Sequence, residues 1–62
     1  MIWYINWKGP QGRETLDELD RNGFDNYKTF KAELNRLVSE YAIAGMQGAY
    51  QSSRMCANWK ES

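Results

Sequence analysis

Large hydrophobic side chains open the chain on alternate positions. Met1, Trp3, Ile5 and Trp7 form one apolar row, while Ile2, Tyr4, Asn6 and Lys8 form a second that turns from apolar to polar along its length. Residues 1–8 are rich in β-branched and aromatic types, and this alternation predicts a strand. Gly9-Pro10-Gln11-Gly12 follows as a turn, because Pro fixes φ and Gly tolerates positive φ. A hairpin is expected. Two readings stand for residues 13–20. Thr15-Leu16-Asp17-Glu18 matches a helix capping box, and Leu16 and Leu19 have helical spacing. A helix of about seven residues is marginal in water, however, and the first strand needs a partner, so a strand is favoured.

From residue 26 to 45 the period changes to 3.6. Tyr27, Phe30, Leu34, Leu37, Tyr41 and Ala44, with Val38 beside them, form one face of an amphipathic helix. Asp25 or Asn26 is the expected N-cap, and Gly45 ends the helix. Arg36 stands three residues from Glu33 and four from Glu40, the spacing of surface ion pairs. Gly45-Met46-Gln47-Gly48 reads as a loop, residues 49–57 as a weaker strand and residues 58–62 as a tail. The expected fold is α+β: a single β-β-α-β domain over residues 1–62, with one helix laid on one face of a small antiparallel sheet.

Sixty-two residues bury a thin core, yet 42% hydrophobic and 15% aromatic residues argue against disorder. Eight basic and eight acidic residues give a net charge of zero, which disfavours nucleic acid as the main partner. No apolar run is long enough to cross a bilayer and no signal-peptide pattern opens the chain, so no membrane association and a cytoplasmic location are expected. Histidine is absent and Cys56 is the lone cysteine, which removes the common structural zinc sites and an internal disulfide.

Catalytic patterns are missing. Cys56 has no neighbouring base in sequence and reads as a small buried hydrophobe. Glu18, Asp20, Asn22 and Asn26 can be laid on a calcium loop around Gly23, but Thr29 occupies the position that needs a bidentate Glu. An ordinary turn and helix cap explain the same residues. The turn at Gly9–Gly12 lacks the Lys-Ser/Thr continuation of a phosphate-binding loop. No cofactor and no metal are implied, and no enzymatic activity is expected.

Binding is the remaining class. Trp3, Ile5 and Trp7 are expected to face the helix and Ile2 and Tyr4 the open side. Ile43 lies about 180° from Leu34 on the helix and points away from the core. Ile2, Tyr4, Ile43, Tyr50 and Trp59 are therefore the candidate interface residues. A homodimer is expected on the size argument, since so small a core usually needs support. The alternative is a single-stranded nucleic-acid binder that sets Lys8, Arg13, Arg54 and Lys60 beside Tyr4, Tyr50 and Trp59 on the open sheet face. A dimeric protein that sequesters a small ligand is a third reading.

Trp3-Tyr4-Ile5-Asn6-Trp7, a Gly turn, Glu14-Thr15-Leu16-Asp17-Glu18-Leu19, a helix ending Ser39-Glu40-Tyr41-Ala42-Ile43-Ala44-Gly45, and then Gly48-Ala49-Tyr50-Gln51-Ser52-Ser53-Arg54 occur in that order. This layout resembles the small β-β-α-β open reading frames of bacteriophages and mobile elements. Arg21-Asn22-Gly23-Phe24 departs from the pattern. The resemblance covers nearly the whole chain. It implies a small protein that binds and inhibits or modulates a host protein, such as a defence or nucleic-acid enzyme, often as a dimer; it assigns no catalytic residue.

Overall fold

The computed structural model describes residues 1–56. Strand β1 (Ile2–Gly9) runs into strand β2 (Gly12–Asp20), a short 3₁₀ turn covers Arg21–Gly23, helix α1 spans Tyr27–Ile43, and strand β3 comprises Tyr50–Ser52. The sheet is antiparallel in the order β2-β1-β3, so the aromatic first strand lies in the centre. The helix covers one face. This is the expected α+β arrangement, with residues 12–20 a strand.

The hairpin closes with Gly9 opposite Gly12, and Gly12 adopts φ +114°, where a β-carbon is penalised. Asn26 caps α1 by accepting the Thr29 amide at 2.8 Å. At the other end Gly45 takes φ +103° and Met46 N donates to the Tyr41 carbonyl, which satisfies one of the helix's last acceptors. Both expected ion pairs form on the outer surface, Arg36–Glu33 at 2.7 Å and Arg36–Glu40 at 3.5 Å. The Arg36 guanidinium holds the Glu33 carboxyl below the usual range, chiefly through their hydrogen bond.

Ile5, Phe30 and Leu34 are fully buried and define the core. Trp3, Leu16, Leu19, Phe24, Leu37, Val38, Tyr41 and Ala49 pack around them. The ladder shifts register between Ile5 and Asn6. Asp17 pairs with Ile5 and Thr15 with Asn6, which leaves Leu16 as the extra residue of a β-bulge. The bulge lets Leu16 and Leu19, an odd number of residues apart, both reach the core. Asp17, opposite the buried Ile5 and two positions from Leu19, faces the helix side as well, where it accepts the Tyr41 hydroxyl at 3.1 Å. Burial, and then this contact with Asp17, raise the Tyr41 pKa.

Three expectations need correction. Of the strand read over residues 49–57, the described residues form only Tyr50–Ser52, and residue 57 lies outside them. Beyond Ser52 the chain leaves the sheet edge, because Arg54 N bonds back to Ser52 Oγ and turns the backbone. Tyr27, placed on the apolar helix stripe, is 57% exposed: it sits at the first helical position, with its ring tilted 46° to that of Phe30 and the centroids 6.3 Å apart. Ala44, on the same stripe, is exposed at the C-cap.

Candidate binding site on the open sheet face

The face of the sheet away from the helix is built of four cross-strand rows, because residues opposite one another in a ladder point the same way. Lys8 pairs with Arg13 nearest the hairpin. Asn6 follows, between Thr15 and Tyr50. Next comes Tyr4, between Glu18 and Ser52, and last Ile2 with Asp20. Residues 53–56 cross over the second row as a strap. Asn6 Nδ2 donates to the Arg54 carbonyl at 2.9 Å, and Cys56 N donates to Thr15 Oγ1 at 2.7 Å. Thr15 Oγ1 in turn donates to Asn6 Oδ1 at 2.7 Å. Asn6 and Thr15 are consequently buried polar residues, with every buried side-chain polar atom among the described residues hydrogen-bonded.

Between strap and sheet lies an open cleft of about 370 Å³, lined by Asn6, Arg13, Tyr50, Ser52, Arg54, Met55 and Cys56. That size is within the range of small-molecule sites. The ion pairs among the described residues involve Met1 with Asp20 and Arg36 with Glu33 and Glu40, so Arg13 and Arg54 have no carboxylate partner there. Lys8 stands directly opposite Arg13, a like-charge pair that raises the energy of the empty face. Glu18 and Asp20 occupy the same face toward its far end, four and six strand positions from the Lys8 row, or roughly 13 and 20 Å. The face is basic at the hairpin end and acidic at the other.

The structure brings Tyr4, Tyr50, Lys8, Arg13 and Arg54 to this one surface, as the residue pattern allowed. Ile2 is there too, at the acidic end, and 40% exposed. Tyr4 is half-buried rather than freely exposed. Ile43, 87% exposed, is at the end of α1 in the other layer and belongs to no common patch with them. Trp59 and Lys60 lie outside the described residues. Cys56, read as a buried hydrophobe, is instead half-buried and lines the cleft, because the strap carries it across the sheet rather than into the core.

Asn6, Thr15 and Ser52 were not singled out by sequence. The available signal was Asn6, a lone amide in the middle of an aromatic strand. Among the described residues no helix is long and apolar enough to cross a membrane. No family model, curated protein or solved structure matches the chain.

Proposed function

We propose that this protein is a non-catalytic binding module of the phage-type inhibitor or adaptor kind, acting on a host protein through the open face of its sheet. One observation carries the reading: Arg13 and Arg54, without carboxylate partners among the described residues, line a cleft edged by the exposed Tyr50, and Lys8 stands opposite Arg13. Arg and Tyr are the residue types that dominate interface energetics, and a cleft between them supplies the pocket that an anchor needs. The acidic end gives the face a direction, so a partner of complementary charge docks in a single orientation.

A single-stranded nucleic acid is the competing occupant of the same aromatic and basic residues. Glu18 and Asp20 weigh against it, because a polyanion running along β1 meets them within about 20 Å of Lys8. Affinity capture of the tagged full-length chain from host-cell lysate, with and without nuclease, separates the two. The protein reading expects one stoichiometric partner that survives nuclease and is lost with Arg13→Ala/Arg54→Ala. Recovery that disappears with nuclease overturns it in favour of nucleic acid.

A further inference from the structure

We infer that the cleft between strap and sheet is a subsite for a phosphomonoester dianion, held by Arg13 and Arg54. The inference rests on the open face being the working surface and names the chemical group recognised there. Arg13, on β2, and Arg54, on the strap, both line the cleft, so two elements each contribute an arginine to it. Lys8, opposite Arg13, adds a third positive charge at its margin.

Charge decides between candidate anions. A carboxylate brings one negative charge and satisfies one guanidinium fork, leaving the second arginine uncompensated. A phosphomonoester brings about 1.5 to 2 charges at pH 7 and three acceptor oxygens, enough for two forks together. Arginine suits this task because its planar donors match phosphate oxygens in pairs. Ser52, also in the lining, supplies a hydroxyl that can donate to a third oxygen, and the Tyr50 ring, 41% exposed, borders the opening as a flat surface for whatever carries the phosphate. Asn6 is only 1% exposed and donates from its amide to the Arg54 carbonyl, so it positions the backbone that carries Arg54.

Two sources share this chemistry, a phosphorylated side chain of a protein and a free mononucleotide. The test is an amide chemical-shift titration of the full-length chain with inorganic phosphate, a phosphoserine peptide and adenosine 5′-monophosphate, with acetate as control. Saturable shifts at Arg13, Ser52, Arg54 and Cys56 are expected with phosphate, and affinity about tenfold above that for acetate. Lowering the pH from about 7.5 to 5.5 is expected to weaken binding, since the second phosphate proton returns near pH 6. Arg13→Lys, which keeps the charge and loses the fork, is expected to cost about tenfold, as is Arg54→Lys; Lys28→Ala, on the helix, is expected to cost nothing.

A tighter phosphoserine peptide identifies a modified protein as the source, and a tighter mononucleotide identifies a free ligand. Equal affinity for acetate, or shifts unchanged by both arginine substitutions, overturns the subsite. So does the absence of shifts with every phosphate probe. Should the arginine pair still be required for capture of a host protein in that event, the open-face reading stands and only the phosphate assignment falls.

Discussion

Thr15 Oγ1 donates to Asn6 Oδ1 across β1 and β2 at 2.7 Å, and this contact joins the two side chains that hold the strap on the sheet. Each partner also holds one strap residue, Asn6 through the Arg54 carbonyl and Thr15 through the Cys56 amide. A chain with one helix thus buries its central strand on both sides, Ile5 beneath the helix and Asn6 beneath the strap.

Removing either partner leaves buried polar groups unpaired. Thr15→Val deletes the donor to Asn6 Oδ1 and the acceptor for Cys56 N, and is expected to cost about 1–3 kcal/mol. Asn6→Ala is expected to cost a similar amount, and the double variant less than the sum, with a coupling of about 0.5–3 kcal/mol. Urea denaturation of the four proteins measures this. Strict additivity would mean that the two side chains do not act as a unit.

Gly9 lies under the Trp7 ring, so closely that an added β-carbon would overlap it. Trp7 cannot easily yield, because its Nε1–H donates to the Gln47 carbonyl at 2.9 Å. Gly9→Ala is expected to destabilise by about 1–3 kcal/mol and to change tryptophan emission as the ring is pushed out. A variant as stable as the parent, with unaltered emission, would show that the ring is loosely held.

Tyr41 links α1 to the bulge through Asp17, and its folded pKa is raised above the ordinary phenol value of 10, first by burial and then by that contact. Below the unfolded value the contribution is fully present. As pH rises past 10 the unfolded state releases this proton first, so stability falls with pH. Tyr41→Phe is expected to lessen that alkaline decline. An identical decline in both proteins, followed by circular dichroism, would assign it to other groups.

Much of the fold was legible because it is local. Alternation marked β1, the 3.6 period marked α1, and Asn26 and Gly45 marked its ends. Leu16 and Leu19 were harder to read, since their spacing of three is helical in a regular chain. The bulge supplies a second way to bring both to one face, and it is created by pairing with β1 rather than by local preference. The strap was hidden for a related reason. Residues 53–56 have no period of their own, and their partners Asn6 and Thr15 are about 40 or more positions away in sequence. The basic and aromatic residues of the open face could be named in advance, but their cleft could not, because the strap forms one wall of it.

The central claim, that the open face is the working surface, is tested most directly by reversing its basic end. Arg13→Glu/Arg54→Glu and, as a matched control on the helix, Lys28→Glu/Arg36→Glu would be compared with the parent in affinity capture from host-cell lysate. Folding of each would be checked by circular dichroism. The account expects the control to retain the parent's stoichiometric partner and the folded open-face variant to lose it. Retention by the open-face variant, with loss in the helix variant, would contradict the account and move the working surface to α1.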